Sequence, residues 1–170
     1  DYISLEDDEK RIKLIPIINE EIRRRKRLFA KMGAMNFNVY NQITDKKLPM
    51  IILMIDNYEA VKEIGLEYEG AISAISRDGQ GLGIYLIITA TRSGSVRYSV
   101  MNNFKHRIVV YMYDSGDAVT IIGRTKYNLP EVAGRALVKS DDINIMQCYL
   151  PTQLSDDVSY LSSIRQIVES

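Results

Sequence analysis

An α/β layered fold with a mostly parallel sheet is what this sequence predicts, on three observations. Two short runs, Leu48–Asp56, nearly all apolar and ending in an acid, and Ile84–Ala90, have the profile of strands buried on both faces. A segment of helical period, about Tyr68 to Arg77, lies between them. The alternation then continues with a helix near Val96 to Phe104 and a strand over Arg107 to Tyr113. Strands joined by crossover helices build a parallel sheet covered by helices.

Upstream of the first strand, Glu6 to Met32 has helical spacing, with Ile15, Ile18, Ile22 and Phe29 on one face and a stop at Gly33. Pro16 predicts either a kink or a fresh start with proline in the first turn. The basic run Arg23–Arg27 on this helix reads as a solvated face rather than a nucleic-acid contact. A helical turn follows at Asn36 to Ile43, and Gly79, Gly81 and Gly83 form a loop before the second strand. A short helix is expected at Ala118 to Ile122. Beyond it, Arg135–Lys139 and Asn144–Leu150 flank Ser140-Asp141-Asp142 as an antiparallel hairpin capping one sheet edge. From Ser155, a plausible N-cap, Val158, Leu161 and Ile164 space out a small amphipathic helix. The expected division is therefore one compact domain over 1–152 and a tail helix over 153–170.

Lys and Arg together number 22, as do Asp and Glu, so no global positive field is available to hold nucleic acid. A single cysteine, Cys148, excludes an internal disulfide, and with the one histidine it cannot build a zinc site. Cys148 is expected to pack inward and His106 to sit at the surface. No apolar run approaches the roughly 20 residues that cross a bilayer. The opening on Asp1-Tyr2 without methionine reads as a fragment of something larger.

Ligands of open α/β sheets bind beyond the carboxyl ends of the strands, so the residues that end each apolar run are the candidates. Asp56 ends the first. A hydrophobic strand followed by an acid is the pattern with which ATPases hold Mg²⁺ through its water shell, although strands also end in Asp for capping reasons. The second ends in Thr89-Ala90-Thr91-Arg92, where a hydroxyl or guanidinium could meet a γ-phosphate, or where the chain simply turns. The phosphate-cradling pattern Gly-x-x-x-x-Gly-Lys-Ser/Thr does not occur. Gly79, Gly81 and Gly83 do not replace it, because they precede a strand instead of opening a helix.

A basic helix, a strand ending in Asp56, the segment Ser76-Arg77-Asp78-Gly79-Gln80-Gly81-Leu82-Gly83-Ile84 and a strand ending Thr89-Ala90-Thr91 together resemble the FtsK/SpoIIIE motor family. Ile55–Glu63 and Ile122-Gly123-Arg124-Thr125 resemble more narrowly the third, C-terminal ATPase module of type VII secretion proteins of the EssC/EccC kind. The resemblance covers roughly residues 8 to 152. It implies a three-layer RecA-like P-loop NTPase fold whose N-terminal P-loop part is absent here, with ATP and Mg²⁺ as cofactors. Further implied are neighbouring ATPase modules of the same chain, an oligomeric assembly with other secretion-complex subunits at the cytoplasmic face of a membrane, and exported small helical-hairpin proteins as partners.

Against the family pattern, Asn57 stands where a second acid activates water, and an amide cannot act as a base at neutral pH. Arg92 replaces a glutamine. Arg77 matches one basic position, that of a trans-acting arginine, and Gln80 replaces the other. These departures imply slow or absent hydrolysis and a regulatory or docking role. The alternatives are an active motor module and, disfavoured by zero net charge, a double-stranded DNA translocase.

Overall fold

The computed structural model of the chain describes residues 8–62, 64–149 and 156–169. The chain divides into two compact units, Asp1–Phe104 and Lys105–Ser170.

The first unit begins with α1, Asp8–Met32, one helix that runs through Pro16 without a new start. The carbonyl that proline leaves unpaired belongs to Ile12, an exposed residue whose backbone water can serve. Ile15, Ile18, Ile22 and Phe29 are buried as the spacing requires. Helix α2, Phe37–Ile43, is capped by Asn36, which accepts from the Val39 amide. Its Tyr40 ring stacks on Phe29 with centroids 5.0 Å apart. Asn41 then grips Leu48 by both backbone groups, at 2.8 and 2.9 Å, and so aims the chain into the first strand.

Strands β1, Ile51–Ile55, and β2, Ile84–Ile88, pair in parallel with Ile51 opposite Ile84 and Ile55 opposite Ile88. Between them lie α3, Tyr58–Lys62, and α4, Leu66–Asp78. Helix α5, Tyr98–Met101, follows β2. The cores gather Ile18, Ile22, Phe29, Ile75 and Ile84 in one cluster and Tyr58, Ile72 and Val100 in another. The expectation of strands buried on both faces does not hold for β1. Ile51, Leu53 and Ile55 face the helices, whereas Ile52 and Met54 are 60% and 64% exposed. An apolar run does not reveal that only one of its two faces has a covering layer.

The basic run is a solvated face, as expected, at Arg23, Arg24, Lys26 and Arg27, but not at Arg25. Arg25 is wholly buried. Its guanidinium pairs with Glu21 at 2.7 Å and donates to the carbonyls of Pro49 at 2.7 Å and Leu82 at 2.8 Å, with Phe37 beneath it at 5.7 Å. Arginine's planar fork suits three acceptors at once. The glycine loop is thereby tied to α1. Gly83 takes φ +74°, and a Cβ there would meet the Phe37 ring at 2.3 Å, so conformation and space both demand glycine.

The second unit holds β3, Arg107–Val110, β4, Arg135–Lys139, and β5, Ile143–Gln147, all antiparallel in the order β3-β4-β5. The hairpin is as expected, its turn closed by the Ser140 amide on the Asp142 carbonyl at 3.1 Å. The segment at Arg107 is not a further parallel strand but pairs antiparallel with β4. Helix α6, Ser115–Ile122, starts earlier than expected because Asp114 caps it. Val109, Ile122 and Leu137 form this unit's core. Cys148 lies just past β5 and is exposed rather than packed inward. His106 is at the surface. Helix α7 spans Asp157–Glu169. The expected cap Ser155 lies outside the described residues, and Asp156 accepts the Ser159 amide at 2.9 Å.

Candidate nucleotide-facing site

The carboxyl ends of β1 and β2 bring the two sequence candidates into one hydrogen-bonded cluster. Parallel pairing in register places Asp56 beside Thr89, each one residue beyond its strand. The Thr89 hydroxyl donates to Asp56 Oδ1 at 2.5 Å and accepts from the Asn57 amide at 3.0 Å. The Thr89 carbonyl accepts the Tyr58 amide at 2.9 Å. Asn57 is held in the left-handed region, φ 57°, a conformation asparagine tolerates better than most residues. Asp56 is exposed, and its second oxygen can accept a hydrogen bond from a metal-bound water. Among the described residues no group of three His, Cys, Asp or Glu could ligate a metal directly. A cation here would be held by one carboxylate, through water, together with a phosphate.

Glu59, in the first turn of α3, joins this cluster and is the member that sequence reasoning missed. Its Oε1 accepts the Thr91 amide and hydroxyl, both at 2.8 Å, the Arg92 amide at 3.3 Å and the Ser95 hydroxyl at 2.7 Å. Oε2 is buried with no hydrogen-bond partner among the described residues. Burial works to raise this carboxyl, but the Ser95 hydroxyl, its own amide and the two Thr91 donors outweigh it and lower it from 4.5 to about 2. Thr91 thus spends its hydroxyl proton on Glu59, and the Arg92 side chain remains at the exposed surface. An acid two residues after Asn57 was the available signal, but its partners lie 32 to 36 positions further on.

Arg77 is engaged elsewhere. It is exposed near the end of α4, and its Nε donates to Asp78 at 2.9 Å, which holds its own pKa above the ordinary value. Asp78 is lowered by Arg77 first and then by Lys26 of α1. The glycine loop cannot act as an anion cradle. The amides of Leu82 and Ile84 bond the Gly79 carbonyl and that of Gly83 bonds Gln80, while the Leu82 carbonyl faces the buried Arg25 cation. An anion cradle needs the reverse polarity.

No family model matches the chain. The comparison with curated proteins finds the ESX secretion system protein EccC of Geobacillus thermodenitrificans, 39% identical over 169 residues, which are 99% of this chain and 11% of that protein. YukB of Bacillus subtilis is 37% identical over the same share of each chain, and EssC of Staphylococcus aureus strain MRSA252 is 32% identical over 99% of this chain and 12% of its own. This chain is a homologue of the EssC/EccC type VII secretion ATPases.

Among solved structures, EssC (ATPases 2 and 3) of G. thermodenitrificans superposes with a TM-score of 0.91 at 39% identity, covering 99% of this chain and 32% of that one. The conjugation coupling protein TcpA, solved with ATPγS, superposes at 0.72 and 26% identity, covering 92% of this chain and 48% of its own. The EssC/EccC homologue thus has the RecA-like P-loop NTPase fold, with a parallel pair and a C-terminal antiparallel hairpin. It spans about a tenth of the length of its curated relatives. No helix among the described residues is long and apolar enough to cross a membrane.

Proposed function

We propose that this chain is part of the third, C-terminal ATPase module of a type VII secretion motor, and that it responds to nucleotide while hydrolysing it slowly or not at all. Asn57 carries the reading. It occupies the position of a water-activating acid, its amide can neither take nor give a proton usefully near neutral pH, and its backbone is locked against Thr89. Glu59 cannot substitute, because a carboxyl already lowered to about 2 by its donors is a poor base. Asp56 would hold Mg²⁺ through water and the Thr91-Arg92 segment would lie near the terminal phosphate. Arg77, exposed at the surface, would serve a neighbouring module of the same assembly. Nucleotide supplies phosphate charge and magnesium neutralises it; the chain's own residues orient and sense.

In this reading the module sits at the cytoplasmic face of the membrane, anchored through other parts of the protein. It contacts neighbouring modules and other secretion subunits, and it regulates or docks exported small helical-hairpin proteins. An EccC of Thermomonospora curvata, 16% identical and alike in fold with a TM-score of 0.71, was solved with a signal sequence peptide, which makes docking a reasonable role for this fold. The intact Asp56–Thr89 pair favours retained nucleotide binding over complete loss. The test is binding of a labelled ATP analogue with Mg²⁺ to the full-length gene product. Asp56→Ala is expected to weaken binding at this module about tenfold, the scale of a lost charge-assisted contact, with turnover near background. Hydrolysis at this module that Asp56→Ala abolishes would replace the regulatory reading with that of an active motor.

A further inference from the structure

We propose that Glu59 is the positioning residue of this site: it holds the segment from Thr91 to Ser95 so that Arg92, and not Thr91, meets the terminal phosphate. The proposal rests on the nucleotide reading above.

Three observations lead to it. One carboxylate oxygen gathers four donors from three residues of a single five-residue segment, and one of them, Ser95, is buried. Charge-assisted bonds of this kind are about twice as strong as neutral ones, so the segment is pinned at both ends. Next, a threonine hydroxyl has one proton, and the Thr91 proton already goes to Glu59 at 2.8 Å. A phosphate oxygen is an acceptor and needs a donor. While the clamp is closed, Thr91 has none to offer from its side chain. Arg92, by contrast, has its amide directed to Glu59 at 3.3 Å and its guanidinium, with five N–H donors, at the exposed surface.

The cluster therefore has two tiers. Thr89 ties Asp56 to β2, and Glu59 ties the loop after β2 to α3. Both ties bridge the same pair of strand ends, so the metal-facing carboxylate and the phosphate-facing guanidinium are set by one framework. A glutamine at the family's sensor position would reach a phosphate with a neutral amide; an arginine brings a charge, which rewards a precisely held backbone more.

The experiment uses the full-length gene product and reads two quantities for Glu59→Gln, Thr91→Val and Arg92→Ala: residue-resolved amide exchange and affinity for fluorescent ATP and ADP analogues with Mg²⁺. For Glu59→Gln, exchange at Thr91 and Arg92 should quicken about tenfold or more while the amides of Ile84–Ile88 keep their protection. Arg92→Ala should weaken the ATP analogue about tenfold and the ADP analogue much less, and Glu59→Gln should reduce the same preference; Thr91→Val should cost less than Arg92→Ala. Unchanged exchange at Thr91 and Arg92 overturns the proposal. So does loss of protection throughout β2, which would make Glu59 a fold residue only, and so does a larger loss from Thr91→Val than from Arg92→Ala. If this module of the native protein binds neither analogue, the nucleotide reading and the phosphate assignment fall together, while the exchange data still decide whether Glu59 holds the segment.

Discussion

Arg25 is the residue on which the first unit depends most heavily, because it is a wholly buried cation with no water to fall back on. Its donors reach α1 through Glu21, the approach to β1 through Pro49 and the glycine loop through Leu82. Truncation to alanine would leave buried carbonyls without a donor and a cavity beside Phe37, so Arg25→Ala is expected to lower stability by about 3–5 kcal/mol. Arg25→Lys should recover only part of that, since one ammonium cannot reproduce the fork. Urea unfolding of the purified protein measures both. Neighbouring Arg23 and Arg27 are exposed and pair with Glu20, and removing either should cost under about 1 kcal/mol. Nothing in the local sequence separates Arg25 from these two. Its partners Pro49 and Leu82 lie 24 and 57 positions away, so its burial is created by the fold and is invisible to helical periodicity.

Elements were legible where a single face or a single turn determines them. Ile15, Ile18, Ile22 and Phe29 located the inner face of α1, and Ser140-Asp141-Asp142 located the hairpin turn, because both signals are local. Asp56 was legible for the same reason, as the first polar residue after an apolar run. What was not legible depended on partners: whether β1 has one covered face or two, whether β3 pairs in parallel, and which loop Glu59 reaches. The α1 network also has a pH signature. The Arg24 hydrogen bond chiefly, against opposing burial and with help from Arg25, lowers Glu21 from 4.5 to about 2. A carboxyl lowered in the folded state adds stability that is fully present above its unfolded value and is lost as pH falls toward the folded one. Stability should therefore decline between about pH 4.5 and 2, with Glu59 contributing over the same window. Glu21→Gln should flatten that decline in a series of urea midpoints at successive pH values; an unaltered slope would assign it to other carboxylates.

At the scale of the molecule, the 170 residues cover 32% of a solved chain that contains two ATPase modules, less than one module's share if the two are similar in size. Among the described residues, one face of the β1–β2 pair is exposed. Cross-strand register sets Ile52 beside Tyr85 and Met54 beside Ile87, and Ile52, Met54 and Ile87 are all exposed. Contiguous apolar surface on a short sheet is an association hazard, because removing it from water is favourable by roughly 25 cal/mol per Å² buried. The isolated 170-residue chain should therefore self-associate with rising concentration, and sedimentation velocity over a tenfold concentration range would show it. Substituting Ile52→Lys and Met54→Lys together changes only outward-facing positions, leaves the inward set Ile51, Leu53 and Ile55 intact, and should return the chain to a monomer with its circular dichroism preserved. Association that persists in the double variant would move the interface to the apolar residues of α7, where Val158 and Leu161 are also exposed.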